Sequence, residues 1–333
     1  MHSLVPLVET TRGGTRENLH FGALAVADTR GRVLAHAGDP HWVTFTRSTL
    51  KPLQALPFVN GGGVQHFGLG PAQLALLCAS HNGEPMHVEQ VEQILARAGV
   101  AWQRLQCGCH VPMYVDAGVG PAPAHYDQRH HNCSGKHSGF LAWCVQHGQS
   151  MDDYLDPAHP LQGAIRAAVA QAVGLQEHQM PMGIDGCSAP NYAMPLAHLA
   201  TGFARLGAGA GDPRFGESFA QLADAMTAHP ELVSGTHRND AAFMRAGRGD
   251  WVTKVGADGV QVVASRSRGE ALALKVSDGN KLALYAATVE ALEQLGWLDD
   301  AQREALRPWR HESIDSLRGA PVGARRPVFR LAT

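Results

Sequence analysis

Strand-forming segments stand at the two ends of this chain and helix-forming segments fill the middle, so the strands can be buried only if the termini meet in one sheet. Residues 20–36, HFGALAVADTRGRVLAH, read as two apolar strands turning at Asp28-Thr29-Arg30-Gly31. Near the other end, WVTKVGADGVQVVASRSRGEALALKV (251–276) predicts two or three more strands, with turns at Ala257-Asp258-Gly259 and Ser267-Arg268-Gly269. Between them Val88, Val91, Ile94, Leu95 and Ala98 recur at helical spacing, and further helices are predicted over 161–173, 214–228 and 281–295. The expected architecture is therefore α/β in the α+β sense. It is a single unit over 1–333 whose terminal strands form the sheet, with a largely helical region, about 65–235, carried between them.

The chain has 333 residues and 44% apolar content, enough for a substantial core. Its 28 basic and 30 acidic residues leave a formal charge of -2, which offers no field to attract nucleic acid or an acidic membrane surface. A small-molecule partner is the expectation. The opening MHSLVPLVETTRGG lacks the basic and apolar regions of a signal peptide, and no apolar run is long enough to span a bilayer, so the protein is expected in the cytoplasm. Six cysteines are too few for a disulfide scaffold in a chain this long; they are expected to be thiols that pack, react or bind metal.

The stretch TRSTLKPLQALP places Ser48 three residues ahead of Lys51, a spacing that puts both on one face of a helix. Pro52 fits close to a helix start, which sets Ser48 at or just outside the first turn. An isolated S-x-x-K is as well read as a capping serine with a surface lysine. Here, however, it is followed by Ser80-His81-Asn82 and then by Lys254-Val255-Gly256 inside a predicted strand. Penicillin-binding proteins and serine β-lactamases carry S-x-x-K, S-x-N and K-T-G elements in that same order. The order points to a serine hydrolase in which a neutral lysine takes the serine proton. A second amine, Lys254, brought in from the distant strand would disfavour the charge on the first.

A second cluster comes from Asn132-Cys133-Ser134-Gly135-Lys136-His137-Ser138-Gly139 and Gly183-Ile184-Asp185-Gly186-Cys187-Ser188, which the glycines mark as tight loops lining a site. Zinc takes thiolate and imidazole, but this spacing matches no common zinc motif, and buried packing thiols fit it as well. Cys107-Gly108-Cys109-His110 shows no further ligand and reads equally as packing.

The strings TRSTLKPLQALP, CASHNGEPMHV, CGCHVPMY, HNCSGKHSGFLAWC, GIDGCSAPNYAMPL, RNDAAFMRA and ALKVSDGN together resemble the L-asparaginase II family, the thermolabile rhizobial type, from about residue 8 to the C-terminus. That resemblance implies a serine β-lactamase or penicillin-binding-protein-like fold and a homodimer that hydrolyses L-asparagine to L-aspartate and ammonia. It implies that Ser48 and Lys51 form one Ser-Lys pair and Ser80 and Lys254 a second beside it. Cys133, Lys136 and Cys187 match the family's zinc ligands, with water completing the shell and zinc supporting substrate binding. Asp185, by charge and position, is the candidate to hold the substrate ammonium, with His137 and Asn82 as further hydrogen-bonding residues. Two other readings share these residues. One is a cytoplasmic Ser-Lys hydrolase of another amide, a glutamine, peptide or β-lactam substrate; the other is a zinc-binding relative without turnover.

Overall fold

A computed structural model describes residues 3–333. Its strands are β1 (Val5–Arg12), β2 (Thr15–Asp28), β3 (Val33–Ala37), β4 (Val43–Phe45), β5 (Met182–Ile184), β6 (Pro190–Pro195), β7 (Trp251–Gly256), β8 (Val260–Ser265), β9 (Glu270–Val276), β10 (Ser313–Asp315) and β11 (Pro321–Pro327). The large sheet runs β10-β11-β1-β2-β9-β8-β7, with β3 also on β2, and every pairing in it is antiparallel. Strand β2 is long because one edge serves two partners in succession. Thr15–Gly22 pairs with β1 and Leu24–Ala27 with β3, while Gly22–Asp28 pairs on its other edge with β9.

The two faces of this sheet differ in side-chain size, as the period of two along a strand requires. Ala23, Ala25 and Ala27 of β2 and Ala271 and Ala273 of β9 face the helical region; Leu24, Val26, Leu272, Leu274 and Val276 face the other way. The small face admits the helix Leu196–Ala208 closely: a methyl built on Gly207 would stand 3.3 Å from the Ala264 methyl. The large face is covered by the helix Lys281–Gln294. This is the expected α+β arrangement, a sheet from both ends with helices carried between. The predicted hairpin turn lies at Asp28, whose Oδ1 accepts from the Arg30 and Arg32 amides at 2.9 and 3.0 Å. Helices over 85–97, 160–173, 216–228 and 281–294 stand where the periodicity put them.

Strands β1, β10 and β11 were not foreseen. VPLVETTR is half polar, PVGARRP carries two arginines, and both contain proline; they lie toward the end of the sheet that β10 closes, and part of each strand is exposed. Nor was the small sheet β4-β6-β5, whose strands are too short to show a period. A further correction concerns 132–139, expected as a loop. Ser134–Gln146 is a helix, and its glycines serve close approach: a Cβ on Gly135 would meet the Leu76 carbonyl oxygen and one on Gly139 the Leu77 side chain at 2.8 Å. Among the described residues no helix is long and apolar enough to cross a membrane.

Candidate active site

The segment Arg47–Leu50 is a single 3₁₀ turn that runs into the helical turn Lys51–Gln54, with Pro52 in its first two positions, so Ser48 lies in the opening turn as expected. The turn is fixed from outside. Thr46 donates its amide to Tyr192 O, and Asn191 brackets Arg47, accepting its amide at 3.0 Å and donating to its carbonyl at 3.0 Å. That grip holds Arg47 at φ +50°, a left-handed conformation unusual for a side chain of this kind. Strand β7 presses on the same turn through Gly256, whose missing Cβ would stand 2.9 Å from Thr46 O and 3.3 Å from the Ser48 amide nitrogen. Lys254 lies two residues earlier on that strand and so shares the face that meets Ser48.

Lys51 is buried. Its Nζ donates to Ala79 O at 2.5 Å, to Ser80 Oγ at 2.9 Å and to Asn132 O at 3.3 Å. The expected pairing is thus exchanged at this amine: Lys51 is hydrogen-bonded to Ser80. The half-buried Ser48 makes no side-chain hydrogen bond among the described residues. The three-residue spacing places Ser48 and Lys51 in successive turns, and the amine donates to Ala79 O and Ser80 Oγ just beyond the helix Pro71–Leu77.

Lys254 is not on Ser80 either. It donates to Asp240 Oδ2 at 3.2 Å and to Val255 O at 2.9 Å, and both its side chain and that of Asp240 are fully buried. Asp240 also accepts the Val255 amide at 3.0 Å, a group left open because β7 ends the sheet, and bonds to Thr253 Oγ1 and Gln261 Nε2. Burial lowers Lys254 to about 8; Asp240 opposes the fall and Lys51 adds to it. The sequence offered one sign of Asp240, a carboxylate among apolar residues in RNDAAFMRA, and its role went unread.

On the facing side, Lys136 Nζ stands 3.1 Å from Cys187 Sγ, and Cys133 lies within hydrogen-bonding reach of the same sulfur. The hydrogen bond from Cys133 holds the Cys187 thiol far below its ordinary range against burial, with Lys136 and His137 adding to the effect. Cys133 is pushed up correspondingly, first by that bond and then by burial. Burial alone would lower Lys136, but the Cys187 and Cys133 sulfurs outweigh it and raise the amine. All three expected zinc ligands therefore converge. Buried His137 Nε2, which has no oxygen or nitrogen partner among the described residues, lies against the Cys187 sulfur. Two thiols, an amine and an orphaned donor in a closed space fit a thiophilic metal with an oxygen ligand. Among the described residues no three His, Cys, Asp or Glu side chains converge on a metal position; this set has two such side chains, Cys133 and Cys187, with a lysine as the third member. Cys107 is buried and Cys109 exposed, without convergent partners of that kind.

Asp185 follows β5 at the mouth of the 185–189 turn. Its Oδ1 meets the Arg47 guanidinium at 2.8 Å and accepts the Gly186 amide at 2.8 Å, while Oδ2 accepts no hydrogen bond among the described residues. Arg47 also pairs with Asp258. Asn82 is turned elsewhere: both its N–H groups donate, to Glu84 Oε1 and Thr236 O at 3.0 Å each, and its oxygen accepts from Arg238 at 2.9 Å, so its amide shapes the 236–238 loop.

Residues 8–327 match the L-asparaginase II family, nearly the whole length, and the chain belongs to that family. It is an asparaginase-type amidohydrolase with a small-molecule substrate. A search of curated proteins found no match. Among solved structures, a β-lactamase from Mycobacterium bovis is similar at 19% identity and a TM-score of 0.40, over 82% of this chain and 94% of that one.

Proposed function

We propose that this protein hydrolyses L-asparagine to L-aspartate and ammonia through a serine acyl-enzyme. The observation that carries the reading is the gathering, around one turn, of a reachable serine with two buried lysines, one of them lowered toward neutrality. Ser48 is the nucleophile in this reading, since the residue is only half-buried and its hydroxyl makes no hydrogen bond among the described residues, while Ser80 is buried on Lys51. Ser48 Oγ adds to the side-chain amide carbon and passes its proton to a neutral lysine amine. The tetrahedral intermediate collapses with cleavage of the C–N bond, and the proton held by the lysine leaves on ammonia. Water then attacks the ester as the amine takes its proton, the bond to Ser48 Oγ breaks, and the amine returns the proton to that oxygen, freeing aspartate.

Arg47 and Asp185 supply opposite charges beside this centre. The open Oδ2 of Asp185 supports the substrate ammonium, and the guanidinium supports its carboxylate. Cys133, Lys136 and Cys187 would hold zinc, with Lys136 giving up its proton to do so. When bound, the metal supplies a positive centre that strengthens substrate binding; making the nucleophile falls to the lysines. The family also leads us to expect a homodimer.

Ammonia release from L-asparagine, L-glutamine and D-asparagine, measured side by side, tests the assignment. L-Asparagine is expected to exceed L-glutamine by about 10- to 200-fold, the span that one methylene commonly allows. Equal or faster release from glutamine would overturn it.

A further inference from the structure

We infer that Tyr154 is a positioning residue: its phenol fixes His137 as the tautomer with its proton on Nε2, holding that N–H as a ready donor beside the Cys133, Lys136 and Cys187 cluster. The inference rests on the reading of that cluster as part of the substrate site.

Tyr154 is fully buried, and its oxygen meets two polar atoms, the Gln106 amide nitrogen at 2.9 Å and His137 Nδ1 at 2.7 Å. A backbone N–H can only donate, so the phenol oxygen accepts from Gln106. Its own O–H then needs an acceptor, because a buried hydroxyl left unpaired is costly, and Nδ1 is the acceptor offered. Nδ1 therefore carries no hydrogen. A neutral ring must carry its proton on Nε2.

The surroundings make this arrangement stiff. Gln106 is anchored through its side chain to Asp152 O at 2.8 Å, and the Tyr154 carbonyl accepts from Gln162 at 2.8 Å. Tyr154 and Phe140 both lie against the imidazole, with ring centroids 5.7 and 5.6 Å away. Nε2 itself is buried against the Cys187 sulfur and has no oxygen or nitrogen partner among the described residues. A fixed donor that faces a sulfur but no oxygen fits an oxygen that arrives with a ligand. A substrate oxygen and a water held on zinc share that acceptor chemistry. Hydrogen-bond partners one step removed from a metal set the orientation of the groups around it.

Nitrogen-15 spectra of the histidine-labelled full chain test this directly, with the His137 signal identified by its loss in His137→Gln. Wild type is expected to show a bare Nδ1 and a protonated Nε2, and Tyr154→Phe to show a mixture of tautomers. Zinc affinity, read by competition with a chelator, is expected to fall about 10- to 100-fold in Tyr154→Phe. KM for L-asparagine should rise more than kcat falls. In the His137→Gln background, whose amide donates without help from the phenol, Tyr154→Phe should add little. A wild-type His137 protonated on Nδ1 would overturn the inference, as would a Tyr154→Phe variant with an unchanged tautomer and unchanged zinc affinity. Failure to hydrolyse L-asparagine would instead remove the proposed function, leaving the tautomer result to decide this point alone.

Discussion

The Lys254 amine and the Asp240 carboxylate meet at 3.2 Å with both side chains shut off from solvent, and the same carboxylate oxygen closes the open edge of β7 by accepting the Val255 amide. One aspartate thus aims a lysine, moderates its acidity and finishes a sheet. Because Asp240 raises Lys254 against the effect of burial, its removal has a predictable sign.

With Lys254 at about 8, activity that needs its neutral form should rise as pH passes through that value. Asp240→Asn keeps an acceptor but withdraws the charge, so the acid limb of the kcat/KM profile should move to lower pH. A move to higher pH would count against the assignment. The stability term has its own sign. Between about 8 and the ordinary 10.5 the unfolded chain holds a proton that the folded one has released, so this group makes stability rise with pH across that window. Asp240→Ala, which strands a buried amine, should cost about 3–5 kcal/mol in denaturant unfolding.

Ser48→Ala should lower kcat by about a millionfold while leaving the unfolding midpoint unchanged, the scale seen when a nucleophile is removed. Mass spectrometry of a Lys254→Ala protein exposed to L-asparagine should place any acyl adduct on the peptide containing Ser48. An adduct on the peptide containing Ser80 would reverse the roles of the two serines.

Gly256→Ala should damage catalysis without removing any titrating group. The added methyl would come 2.9 Å from Thr46 O, so the turn carrying Ser48 must move away from β7. A misplacement of this order can cost about 100-fold in rate. Wild-type kcat in the alanine variant would show that the turn does not depend on the strand for its position.

Local patterns made much of this molecule readable in advance. The turn residues after Asp28, at Asp258-Gly259 and at Arg268-Gly269 marked strand ends that the structure repeats, because turn chemistry acts over a few residues. The helices at 85–97 and 160–173 followed from periodicity for the same reason. Strands β1 and β11, which lie just inward of the outermost β10, escaped, since their burial does not alternate strictly along the chain. Gly135 misled because a glycine needed for close approach inside a helix looks, in sequence, like one needed for a loop.

By itself, then, the sequence determined which chemical groups the candidate site would contain: Ser48, Lys51, Ser80, Cys133, Lys136, Cys187 and Asp185 stand in strings long enough to be distinctive, and Lys254 in the short element Lys254-Val255-Gly256. Only the tertiary structure decided how they pair. Lys51 bonds to Ser80, 29 residues on; Lys136 meets Cys187 across 51; Arg47 meets Asp185 across 138; and Lys254 is claimed by an aspartate 14 residues back that no motif singled out. Spacing along a chain limits which neighbours within a turn or two can touch, whereas the reach of a buried amine is set by which carbonyls, hydroxyls and carboxylates the packed elements bring within about 3 Å.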